Sequence, residues 1–221
     1  MSTDIYDINL GNNDNSTRKD ADSDYVAFWD KQAKLLSWFT DWEKTLDWNP
    51  PFARWFVGGK VNASFNALDI HQTDKSEKIA IFWEGEDGTS REISYSDLFL
   101  QVKKLANVLK SLGVKKGDRV TIYLPMVPEL PISMLACSRI GATHTVVFSG
   151  FSAMSLKDRV EDSESKIIIT ADGGYRKGKI INLKEIVDEK AAAVNSVERI
   201  IILERTMQKI TLNQKDRLWS D

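Results

Sequence analysis

The sequence predicts an α/β fold: a parallel sheet flanked by helices, preceded by an N-terminal helical cap and a hairpin. Three observations predict it. Short runs rich in Val and Ile recur at residues 119–124, 143–148, 166–171 and 199–203. Helix-length segments near residues 129–140, 153–163 and 182–193 separate them. Strands alternating with helices pair in one direction, because each helix carries the chain back to the start of the sheet. Third, hydrophobic residues make up 42% of the chain and charged residues 28%, enough apolar side chain for a buried core.

Taken in order, residues 1–24 repeat Asn, Asp and Ser with few apolar anchors and read as a flexible tail. Residues 25–78 read as a Trp-rich cap. Five of the seven tryptophans lie at 29, 38, 42, 48 and 55, and Phe28, Leu35, Phe39 and Trp42 recur at intervals of seven, four and three residues. That spacing predicts one helix face, ended by Asn49, Pro50 and Pro51. A membrane-interface helix would want a basic polar face, whereas this one carries Asp30, Asp41, Glu43 and Asp47. Residues 79–221 read as the α/β region. It opens on a hairpin, with 79–83 and 91–95 flanking the turn-rich 85–88. Ser96 is placed to cap the next helix, whose stripe is Leu98, Val102, Leu105 and Leu109, and Gly113 ends it.

Thirty basic and 32 acidic side chains give a formal net charge of −2, so no overall field attracts nucleic acid or an anionic membrane. No apolar run approaches the length of a membrane span, and the polar N-terminus has no signal-peptide core. The single cysteine, Cys137, excludes an internal disulfide, and His71 and His144 lack metal-ligand spacing. The cytoplasm is the expected compartment, and no metal site is expected.

Two segments could carry chemistry. Residues 171–179 follow a strand directly and so lie at its carboxyl end, where open parallel sheets bind ligands. Gly173 and Gly174 permit close approach and unusual backbone angles, and Arg176, Lys177 and Lys179 set three cations within four residues. Such a turn suits a phosphate; a solvated basic turn is the alternative. Gly173 to Lys179 also fits the spacing of a nucleotide-hydrolase phosphate loop, but Ile180 stands where Ser or Thr would hold magnesium. The second segment, 143–152, runs from a strand into a Ser149–Gly150 turn between Phe148 and Phe151. These rings either bracket a flat ligand or belong to the core. Cys137 lies in an apolar helical stretch and reads as a small hydrophobe, and the Glu84–Asp87 carboxylates read as solvated.

Several stretches then resemble one family in one order: WNPPF at 48–52, WFVGGK at 55–60, FWEG at 82–85, LGVKKGDR at 112–119, YLPM at 123–126, MLACSRIG at 134–141, VVFSGFS at 146–152 and ITADGGYRKGK at 169–179. The chain resembles, from about Tyr25 onward, the N-terminal part of AMP-forming acetyl-CoA synthetases, in the adenylate-forming superfamily. The resemblance implies the first part of that superfamily's large domain. It also implies a ligase that makes acetyl-CoA from acetate, ATP and coenzyme A through acetyl-adenylate, with Mg2+ assisting. By position, Arg176, Lys177, Gly178 and Lys179 resemble the segment that holds the coenzyme A nucleotide, Arg176 pairing with its 3′-phosphate. Phe148, Ser149 and Gly150 would lie beside its adenine, with Ser149 standing where relatives commonly have Gly. The superfamily's ATP-phosphate loop, acyl pocket and adenylation lysine have no counterpart here, so no catalytic residue is assigned. The expectation is an opening segment that is inactive alone, its C-terminal portion supplied elsewhere or as a separate chain. A non-catalytic CoA-binding remnant, or a synthetase for propionate or another short acid, remain alternatives.

Overall fold

The computed structural model describes residues 14–221. The predicted flexible tail lies outside the described residues up to position 13; from Asp14 it is helical (α1, Asp14–Ser23). Two compact units follow one another along the chain, the first ending at Asn62 and the second running from Ala63 to Asp221.

In the first unit, helix α2 (Tyr25–Ala33) begins at Asp24, whose side chain accepts from the Ala27 amide. The predicted cap helix stops there. Trp38 donates its indole N–H to the Ala33 carbonyl at 2.8 Å, satisfying a group at the helix end. The chain then turns to strands β1 (Trp38–Thr40), β2 (Lys44–Asn49), β3 (Phe52–Val57) and β4 (Lys60–Val61). Strands β1 and β4 pair antiparallel, as do β2 and β3. Asn49, Pro50 and Pro51 therefore make a hairpin turn instead of ending a helix. Leu35 and Phe39, placed by spacing on a packed helix face, are 78% and 63% exposed. Cross-strand partners decided the outcome: Asp47 faces Arg54 in register and pairs with it, and Leu46 faces Trp55. Trp38, Trp42 and Phe56 form a ring cluster with centroids 4.8–5.5 Å apart.

The second unit opens with α3 (Ala63–Leu68) and the predicted hairpin, β5 (Ile79–Glu84) with β6 (Ser90–Ser94). Helix α4 (Tyr95–Ser111) is capped by Ser94, not Ser96: the Ser94 hydroxyl accepts from the Asp97 amide at 3.0 Å. Its stripe, Leu98, Val102, Leu105 and Leu109, is buried. At its end the Gly113 amide bonds the Lys110 carbonyl and the Val114 amide bonds the Leu109 carbonyl, two bonds that a left-handed Gly113 permits.

Then come β7 (Arg119–Tyr123), α5 (Glu129–Ile140), β8 (Thr143–Val146), α6 (Ala153–Ser163), β9 (Ile167–Ala171), β10 (Gly174–Arg176), β11 (Lys179–Ile181), α7 (Leu183–Glu189), β12 (Arg199–Leu203) and β13 (Asp216–Leu218). Five strands form one sheet in the order β13-β12-β9-β7-β8, all parallel. Every residue of β9 is buried, as a strand covered on both faces requires. Burying each Ile side chain there contributes about 1.5–3 kcal/mol. Helix α5 packs with α3 and α4, and α6 with α7. Right-handed crossovers account for this, since the chain moves one way from β7 to β8 and the other way from β8 through β9 to β12. The reversal puts a switch point between β7 and β9, where loops leave in opposite directions and open a crevice at the carboxyl edge.

Candidate functional site

A cleft of about 240 Å³ opens at that crevice. Four of the five strands contribute their C-terminal loops: Pro125 to Val127 after β7, Phe148 and Ser149 after β8, Gly174 to Arg176 after β9, and Arg205 after β12. The end of β5 and the turn after it add Trp83 to Glu86. Gly174 is pressed against Pro125, so that a Cβ on it would lie 3.1 Å from the proline ring.

The basic segment is a two-residue hairpin, with β10 and β11 antiparallel and Arg176 opposite Lys179. Lys177 and Gly178 turn it with φ of +51° and +71°, the left-handed pair that matches strand twist. The unusual angles thus lie at 177–178; Gly173 instead serves close approach, since a Cβ there would lie 2.8 Å from Thr206 Oγ1. The phosphate-loop alternative is excluded. That loop must run into a helix N-terminus at its Lys, whereas Lys179 starts a strand and helix α7 begins only at Leu183.

Arg176, Lys177 and Lys179 are exposed and have no carboxylate partner among the described residues. The Arg176 guanidinium lies 5.3 Å from the centre of the Phe148 ring. Gly150 makes that contact possible, because a Cβ there would lie 2.5 Å from Phe148 Cε1 and overlap the Arg176 guanidinium. Phe148 is 54% exposed and Phe151 39%, so neither ring joins the core. They meet edge to face at 85° and do not form parallel walls around a ligand. Beneath them Tyr123 donates its hydroxyl to the Ser149 and Phe151 carbonyls, at 3.2 and 3.0 Å, pinning the turn. Burial pushes that phenol up to about 12. The seven predicted residues thus gather at one edge, with Ser149 lining the cleft.

Several residues of the site went unread in the sequence. Arg205 lies 5.2 Å from the Trp83 ring centre and 4.9 Å from that of Tyr175. Its guanidinium also donates to Asp87 at 2.9 Å, and that bond, helped by Thr89, holds the Asp87 carboxyl well below the usual carboxylate range. Asp87 is therefore paired, and Glu86 accepts from the Gly178 amide at 2.6 Å, so these two are not merely solvated. The Trp83 indole donates to the Met126 carbonyl at 2.8 Å. Asp87 offsets Arg205, and with Glu84 and Glu86 also in the lining, the rim cations without a carboxylate partner among the described residues are Arg176, Lys177 and Lys179. The one available signal for Arg205 was its position just past a strand, the counterpart of Asp172 and Gly173.

His144 stands in β8, half-buried, with its pKa lowered by burial. Cys137 is fully buried in α5, where burial pushes the thiol up to about 12. Among the described residues, no group of three or more His, Cys, Asp or Glu is arranged to hold a metal ion, and no helix is long and apolar enough to cross a membrane.

Comparison with known proteins agrees with this architecture. The acetyl-coenzyme A synthetase of Rubrobacter xylanophilus is 50% identical over 203 residues, covering 91% of this chain and 32% of its own. That of Methanothrix thermoacetophila is 48% identical over 198 residues, covering 88% and 30%. The solved acetoacetyl-CoA synthetase from Streptomyces lividans superposes with a TM-score of 0.82 at 26% identity, over 90% of this chain and 31% of that one. The chain spans about a third of the length of the curated relatives it matches. Residues 15–67 match the acetyl-coenzyme A synthetase N-terminus and residues 68–220 the AMP-binding enzyme family. With this match spanning most of its length, the chain belongs to the AMP-binding enzymes.

Proposed function

We propose that this chain supplies the coenzyme A nucleotide subsite of an AMP-forming acetate–CoA ligase. In that reaction an acetate oxygen attacks the α-phosphorus of ATP, pyrophosphate leaves, and acetyl-adenylate forms. The coenzyme A thiol then gives up its proton and attacks the acetyl carbon; AMP leaves and the thioester remains. Mg2+ travels with ATP and neutralises phosphate charge in the first step. The residues for adenylation and for the acetate pocket lie outside this segment, in a further portion of the protein that works with it in the cytoplasm.

The observation that carries this reading is Arg176, exposed, unpaired and held against Phe148 at the carboxyl edge of the sheet. A guanidinium so placed can give two parallel hydrogen bonds to the 3′-phosphate. Lys177 and Lys179 add charge beside it, and Phe148, Ser149 and Gly150 offer a ring edge and turn backbone to adenine. Titration calorimetry with coenzyme A and its 3′-dephospho form tests the assignment. Coenzyme A should bind about tenfold tighter, the value of roughly 1.4 kcal/mol for one charge-assisted contact at an exposed site. Arg176→Ala should remove the difference. Equal affinities in the unaltered chain would reject it. The chain alone should form no acetyl-CoA from acetate, ATP, Mg2+ and coenzyme A; product proportional to pure chain would refute the division of labour.

A further inference from the structure

The buried carboxylate of Asp172 hydrogen-bonds none of the seven residues assigned to coenzyme A. It stands at the end of β9 and is 2% exposed. Oδ1 accepts from the amides of Gly173, Arg205 and Thr206 at 2.6, 2.9 and 3.0 Å. Oδ2 accepts from the amides of Thr206 and Gln208, each at 3.1 Å. Three of these four donors belong to the loop after β12, which bends through Met207 at φ +57°. Converging backbone amides of this kind make an anion-binding concavity, and here the anion is the protein's own side chain. The same loop accounts for Gly173, where any Cβ would collide with Thr206 and Gln208.

The consequence lies one step outward. With its backbone fixed by Asp172, Arg205 extends its side chain to Tyr175, Trp83 and Asp87. Tyr175 is the residue before Arg176 in β10. A chain of contacts thus runs from a buried carboxylate through Arg205 to the hairpin that bears the unpaired cations. We propose that Asp172 is a positioning residue: by clamping the loop at 205–208 it sets Arg205 as a brace that fixes the hairpin and the aim of Arg176. This rests on the coenzyme A reading for the ligand, while the brace itself is a property of the fold.

Two measurements on the chain separate those claims. The first is the ratio of dissociation constants for 3′-dephospho-coenzyme A and coenzyme A, in the unaltered chain, Asp172→Asn, Arg205→Ala, Arg176→Ala and the double variant Asp172→Asn/Arg176→Ala. The second is amide hydrogen exchange at residues 175–179 and 205–208. Asp172→Asn and Arg205→Ala should each reduce the ratio about fivefold, and Asp172→Asn should reduce it no further once Arg176 is gone. Both should speed exchange in the hairpin, while at 205–208 exchange quickens only in Asp172→Asn. Arg205→Ala leaves the buried clamp intact, so it decides the matter even if Asp172→Asn fails to fold. Unchanged hairpin exchange in Arg205→Ala overturns the brace. If the unaltered chain shows no preference for coenzyme A, the ligand assignment falls and the exchange data alone decide the brace.

Discussion

Replacing Lys184 by Met should destabilise the second unit far more than its loss of one surface-type charge would suggest. Lys184 lies on α7 and is 1% exposed. Its ammonium is 2.9 Å from Oδ2 of Asp216, whose side chain is 0% exposed at the start of β13, and it also pairs with Asp188. Among the described residues the Asp216 side chain has one other donor, the Asn213 amide at 2.7 Å, and its Oδ1 has no hydrogen-bond partner. Met matches the volume of the lysine stem but leaves a buried carboxylate with a single N–H. Breaking a buried pair from one side costs about 3–5 kcal/mol, because the remaining charge keeps its desolvation penalty without its counter-charge. For a domain of this size that is a fall in Tm of roughly 6–20 °C. The partly exposed Asp188 can turn to water and should add little. Urea unfolding followed by circular dichroism measures the loss as a shift in midpoint at constant slope. The double variant Lys184→Met/Asp216→Asn removes the stranded charge and should recover most of the loss. A single variant costing under about 1 kcal/mol, or a double no more stable than the single, would refute the claim that desolvation dominates.

Other outcomes follow from the same structure. Gly150→Ala should push the Arg176 guanidinium off the Phe148 ring. Both groups are exposed and can move, so stability should change by less than about 1 kcal/mol while the preference for coenzyme A over its dephospho form falls; an unaltered preference would show the contact to be incidental. Cys137 should resist iodoacetamide at pH 8 in the native chain and react on unfolding, since its thiol is buried and pushed up to about 12; rapid native labelling counts against that. In the first unit Lys34, then Thr45 and Trp42, hold Asp30 down at about 2. A depressed folded pKa gives stability that is present above the unfolded value, about 3.9, and lost as pH falls toward 2. Trp42 fluorescence should shift across that window and lose the shift in Asp30→Asn; a pH response surviving in that variant would point to another group.

The α/β order was legible because it is written in local patterns. The Val and Ile runs became β7, β8, β9 and β12 within a residue or two, and the stripe from Leu98 to Leu109 became the buried face of α4. The basic segment could be placed at a strand's carboxyl end from order alone. Other features carried no local mark. Strand β13, three residues with an Asp and an Arg, is recognisable only beside β12. Helix spacing among Phe28, Leu35, Phe39 and Trp42 was genuine, yet the strands from Trp38 onward won through pairing with residues up to two dozen positions away.

By itself, then, the sequence determined the alternation of strands and helices, the family likeness, and the position of Arg176, Lys177 and Lys179 just past a strand's carboxyl end. Period, caps and turns act over a few residues, so a single stretch of chain contains all the physics that sets them. The tertiary structure alone decided strand order, the pairing of Asp87 with Arg205, and the capture of the 205–208 loop by Asp172. Those groups are separated by long stretches of chain and meet only when the sheet assembles, so the energy that selects each partner does not exist until the fold brings them together.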